Sequence, residues 1–191
     1  MKIAITGHTA GIGQALTRAL GQRGHEIVGL SKRDGHNIRV IPKIAARVES
    51  CDMFINNAQA GYAQTELLYA VWESWQGQPN KYIWCIGTMM VQCPVDPLVT
   101  GQSELSMSAY RTQKLALEQA INQLRWKNNW PSITLIRPGA VATQPGQVPG
   151  YPYCDVDAWA DTVVAAIVSA DQQNMMFQEL SLGHANGPMR L

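Results

Sequence analysis

The chain has 191 residues, of which 46% are hydrophobic and 15% charged, with a formal net charge of +1. That length predicts one domain, residues 1–191, with a sizeable core, and the composition excludes a disordered chain. The near-neutral charge excludes the basic footprint of nucleic-acid binding and any strong pull toward an anionic membrane surface.

The opening "MKIAITGHTA" carries one Lys and a short apolar run before Gly7. It reads as neither a signal peptide nor a membrane span, so a cytoplasmic location is expected. Residues 2–6 predict a strand, and 12–24 a helix through Ile12, Ala15, Leu16, Ala19 and Leu20. A second strand is expected over 25–31. A short helix follows over 41–50, with Pro42 near its start, where proline is tolerated. The strand predicted over 51–58 stops at Asn56 and Asn57. Residues 65–76 predict a helix and 81–88 a buried strand. The longest helix, 106–126, lines up Ala109, Ala116, Leu117, Ala120, Ile121 and Leu124 on one stripe. A strand over 132–139 is halted by Pro-Gly, a loop spans 144–153, a helix covers 155–170, and a last strand covers 175–183. Strands apolar on both faces, alternating with helices, predict an α/β fold: a doubly wound, Rossmann-type, mostly parallel sheet of six or seven strands. The four cysteines, Cys51, Cys85, Cys93 and Cys154, have no C-x-x-C spacing and are expected to be free thiols.

The chemistry concentrates at strand ends. Gly7, Gly11 and Gly13 in "TGHTAGIG" lie between the first strand and the first helix. Glycines there allow a tight turn and close backbone approach to a pyrophosphate, and the helix N-terminus supplies N–H groups for the phosphates. The second strand ends in "GLSKR", where an acid would accept from a ribose 2′-hydroxyl. Ser31, Lys32 and Arg33 suit a 2′-phosphate instead, with Asp34 next to them as a counterweight. In "SAYRTQK", Tyr110 and Lys114 are one helical turn apart and share a face. A cation beside a phenol favours the phenolate, lowering a pKa that is ordinarily about 10.

Four features stand in order: "TGHTAGIG", "NNAQAG" (56–61), "YRTQK" on the long helix, and "RPGAVAT" (137–143). Together they resemble the short-chain dehydrogenase/reductase family, of which this would be a compact member. The resemblance implies a phosphate loop of Gly7, Thr9, Gly11, Ile12 and Gly13. It implies that Asn56, Asn57 and Ala58 pack against the adenosine half of NADP(H), with Gln59 replacing the family's Gly. Pro138, Gly139, Val141 and Thr143 would contact the nicotinamide side. Tyr110 would be the general acid/base, Lys114 its partner and a ligand of the ribose, and Thr88 would stand where the family has Ser. The implied activity is NADP(H)-dependent reduction of a small carbonyl, or oxidation of the alcohol.

There are departures from the family pattern. Twenty-one residues, "CPVDP" among them, separate Thr88 from Tyr110; the segment before "NNA" is short; and no Asn lies between Ala58 and Pro79. Gln64 is the candidate stand-in for the family's fourth catalytic residue. These departures keep open a rival reading, a non-catalytic NADP(H)-binding sensor or partner module. His184 reads as packing or surface. A homodimer or homotetramer is expected, built on helices 65–76 and 106–126, with Leu67, Leu68, Trp72 and Leu115 exposed on a monomer. No metal, nucleic-acid or membrane partner is expected.

Overall fold

Along β1 (Lys2–Thr6), Ile3 and Ile5 point to one face of the sheet and Ala4 to the other, the period of two that a pleated strand imposes. The same alternation continues in β3 (Met53–Asn56), β4 (Tyr82–Ile86) and β5 (Ser132–Pro138). It divides the core into two clusters. On one face, Ala4, Phe54, Ile83, Cys85 and Leu135 pack beneath α2 (Ile41–Val48), α3 (Ala63–Trp75) and α4 (Glu104–Lys127). On the other, Ile3, Ile5, Ile55, Trp84 and Ile136 pack beneath α1 (Gly11–Gly21) and α5 (Val156–Asp171). Apolar residues on both faces of the central strands are what a sheet covered on both sides requires.

The computed structural model describes residues 1–92, 104–127, 130–143, 150–173 and 175–186. Its sheet has six parallel strands in the order β2-β1-β3-β4-β5-β6, with β2 (Glu26–Leu30) and β6 (Glu179–Leu182) at the edges. The doubly wound fold is therefore as expected, at the lower of the two strand counts. The winding reverses between β1 and β3, so the C-terminal ends of those strands open a crevice, the position at which open α/β sheets bind ligands. Between β2 and β3 the chain makes only the 3-10 turn Lys32–Asp34 and helix α2, which leaves β2 as an edge.

Two strands are shorter than their apolar runs. β3 ends at Asn56 because the amides of Asn57 and Ala58 leave the ladder and donate to the Thr6 hydroxyl, at 2.9 and 3.0 Å. β6 begins only at Glu179; the Gln178 carbonyl before it accepts from Leu135 N at 2.9 Å. Cys51 and Cys85 are buried free thiols and Cys154 a half-buried one, while Cys93 lies outside the described residues, as do "CPVDP" and residues 144–149 of the predicted loop. His184 is half-buried and accepts from Asn186 N through Nδ1.

Candidate active site

Gly7 follows β1 with φ +71°, and Gly11 opens α1 with φ +53°, conformations that side-chain-bearing residues rarely adopt. Gly13 is needed for a different reason. A Cβ there would lie 2.6 Å from Asn57 Nδ2 and closer still to the Gly7 carbonyl. The turn is tied to the neighbouring strand, with Asn57 Nδ2 donating to the Thr6 carbonyl at 2.9 Å. The α1 N-cap is Ala10, which has no side chain to accept the first-turn N–H groups, and Ile12 sits half-buried at the helix entrance. A helix start with that donor set and a glycine-lined approach fits a phosphate group.

A cleft of about 480 Å³ opens beside this turn, lined by Gly7, Thr9, Ser31, Lys32, Arg33 and Ala58, among others. Ser31 is buried. Its hydroxyl lies 3.0 Å from Thr9 Oγ1 and accepts from Arg33 N at 3.2 Å, capping the turn that carries the two cations. Lys32 and Arg33 are exposed at the rim. Asp34 turns aside toward His8, whose Nε2 lies 3.5 Å from its carboxylate.

A second group gathers over the ends of β3 and β4. Thr88, just past β4, is buried, and its side chain accepts from Met90 N at 3.3 Å. Tyr110, on α4, is half-buried with its phenol beside Thr88. Burial raises its phenol above the ordinary value, and the neighbouring Thr88 pulls it part of the way back. Lys114 is one turn further along α4 and only 3% exposed. Its amine lies 5.6 Å from the centre of the Tyr110 ring. Nζ donates to Gln64 Oε1 at 2.9 Å and to the Ile86 carbonyl at 2.8 Å. Burial lowers its pKa to about 8, against the opposing pull of Cys85 and Glu118.

The segment after β5 closes the arrangement from the other side. Gly139 packs so tightly against β6 that a Cβ would lie 2.8 Å from Gly183 Cα, while its N–H donates to the Leu182 carbonyl. Val141 is buried and bridged to Cys154. The side chain of Thr143 meets the space above Gly11, so the Pro138–Thr143 arm lies against the glycine turn.

No family model and no curated protein sequence matches the chain. Solved structures do match. An alcohol dehydrogenase from Thermococcus sibiricus, complexed with 5-hydroxy-NADP, is 18% identical with a TM-score of 0.73, over 100% of this chain and 99% of that one. A short-chain dehydrogenase from Burkholderia cenocepacia in complex with NADP is 16% identical with a TM-score of 0.72, over 95% and 87%. A 3-alpha-hydroxysteroid dehydrogenase from a Pseudomonas species, complexed with NADH, is 17% identical with a TM-score of 0.64, over 95% of each chain. The fold is that of the short-chain dehydrogenases.

Within this short-chain dehydrogenase fold the expected residues fall into three groups: the glycine turn with Ser31, Lys32, Arg33, Asn57 and Ala58; the Thr88–Tyr110 pair with Lys114; and the Pro138–Thr143 arm. Two expectations need correction. The downward pull of Lys114 on the Tyr110 phenol is not found; burial, which raises it, outweighs Thr88, and the lysine amine sits over the ring while its hydrogen bonds go to Gln64 and Ile86. Leu67, Leu68 and Trp72 are not exposed on the monomer. They are 0%, 0% and 3% exposed, packed under α3 against the sheet, and only Leu115, at 48%, presents apolar surface as expected. Sequence reasoning also missed the far wall of the cleft, His36, Asn37 and Ile38. Their one sequence signal was the shortness of the segment between β2 and Asn56.

Proposed function

We propose that the chain, as one dinucleotide-binding domain, is a short-chain dehydrogenase/reductase. It would use NADP(H) to reduce a small carbonyl or oxidise the corresponding alcohol, and act as a homodimer or homotetramer. The observation that carries this reading is a half-buried phenol, Tyr110, beside the buried Thr88 and a buried lysine, at the same edge of the sheet as the glycine turn. The cofactor, when bound, supplies or accepts the hydride. The chain supplies the rest. Gly7, Gly11 and Gly13 admit the pyrophosphate to the start of α1, and Lys32 and Arg33 offer charge to a 2′-phosphate. Thr88 donates to the substrate oxygen and aligns Tyr110. A phenol raised by burial stays protonated at neutral pH, so Tyr110 is suited to give its proton to the oxygen as the carbonyl is reduced, and to take it back in the reverse direction.

The rival reading, a nucleotide-binding module without turnover, is favoured by one observation: the hydrogen bonds of the Lys114 amine go to Gln64 and Ile86, and it meets Tyr110 only over the ring. A panel of small ketones and aldehydes, assayed by loss of NADPH absorbance, separates the two. The enzyme reading expects a substrate whose turnover falls roughly 10²–10⁴-fold in Tyr110→Phe, with NADPH binding retained. A hit turned over equally well by Tyr110→Phe would remove the phenol from the mechanism.

A further inference from the structure

A buried lysine is held in its charged form either by a carboxylate or by neutral acceptors arranged around it. None of the described ion pairs includes Lys114. Its nearest acid along α4, Glu118, is bound by Nε and Nη2 of Arg137, at 2.8 Å each. The amine therefore rests on two neutral oxygens, Gln64 Oε1 and the carbonyl of Ile86, the last residue of β4.

Gln64 is itself locked. It is 2% exposed, in the first turn of α3. Its Nε2 donates to the carbonyls of Asn56 and Ile86, at 2.7 and 3.1 Å, and its own backbone carbonyl accepts from Asn56 Nδ2 at 2.8 Å. An amide whose two N–H groups face two carbonyls cannot turn over without setting oxygen against oxygen. Its Oε1 is thereby left facing the lysine.

We infer that Gln64 is the positioning residue for Lys114: clamped between the ends of β3 and β4, its amide oxygen holds the lysine ammonium against Ile86 and leaves the third N–H of that ammonium for the ligand of the site. The catalytic consequence rests on the function proposed above, but the positioning itself does not. This differs from a residue that anchors a water, because the side chain touches the amine directly. The amine is finely balanced, since burial already brings it to about 8, so the loss of one acceptor moves its titration into the neutral range. The other groups facing it are Tyr110, Glu118 and Cys85, whose thiol is itself pushed up to about 12 by burial.

The test is an NMR titration of the full chain labelled with [13C]lysine, with the Lys114 signal identified by its loss in Lys114→Met. The wild-type signal should titrate near pH 8. Gln64→Met should lower that midpoint by about one unit and Gln64→Glu should raise it by about one unit or more. In the wild type, the side-chain amide signals of Gln64 should shift with the same midpoint as Lys114, a readout that needs no Gln64 variant to fold. NADPH affinity should fall only about twofold at pH 7 but roughly tenfold at about pH 9 in Gln64→Met, in step with the lost ammonium. A Lys114 midpoint that moves less than about 0.3 unit in the folded variants, or Gln64 amide signals indifferent to the lysine, overturns the inference. If no substrate is ever found but the midpoints move as stated, the positioning stands and the enzyme reading falls.

Discussion

Lys32 and Lys114 carry the same amine along the same edge of the sheet, one just past β2 and the other at the end of β4. Lys32 stands in water at the rim of the cleft, while Lys114 is buried among neutral acceptors. A charge in water needs no help to remain a charge, but its attraction for a ligand is weak and screened by salt. A buried charge acts strongly because little water competes, yet it persists only while its neighbours support it. The rim therefore suits recognition of a phosphate, and the interior suits control of a proton.

The contrast is broken most severely by removing the buried member. Lys114→Ala should reduce turnover roughly 10²–10⁴-fold and weaken NADPH binding at the same time, measured by steady-state kinetics and fluorescence titration. Thr88→Val removes the partner of the phenol and should cost about 10²-fold in kcat, whereas Thr88→Ser, which keeps the hydroxyl, should stay within a fewfold of wild type. Changing pH sharpens the comparison without mutation. Lys114 is depressed to about 8, so it is charged below that pH and neutral above it. Accordingly, kcat/KM should hold up to about pH 8 and then fall about tenfold per unit, while Tyr110, raised by burial, remains protonated over the same range. The smallest effect belongs to the rim. Replacing Lys32 and Arg33 together by Ala should weaken NADPH binding about tenfold and leave NADH binding unchanged, and high salt should imitate the substitution in the wild type.

The same distinction between local and tertiary causes separates what could be read early from what could not. The glycine turn was legible because its demands are local: positive φ at Gly7 and Gly11 and a helix start after them are imposed on a few consecutive residues. The strands were legible because an apolar run between breakers leaves little choice, and their ends were less so because hydrogen bonds from distant residues set them. Thr6, 51 residues before Asn57, decides where β3 stops. Leu67, Leu68 and Trp72 were misplaced because helical spacing shows which residues share a face, not what covers it; here the cover is the chain's own sheet and α2.

By itself, then, the sequence determined the alternation of strands and helices, the six-stranded layout within one strand of uncertainty, and the residue types at each strand end. Which of those residues touch was decided only by the tertiary structure. Tyr110 and Lys114 share a helical face, as their spacing requires, but the partner of each comes from another element: Thr88 for the phenol, Gln64 and the Ile86 carbonyl for the amine. The reason is geometric. Parallel strands bring their C-terminal ends together whatever the distance between them along the chain, and the burial this creates sets both pKa values, a quantity that no local pattern contains.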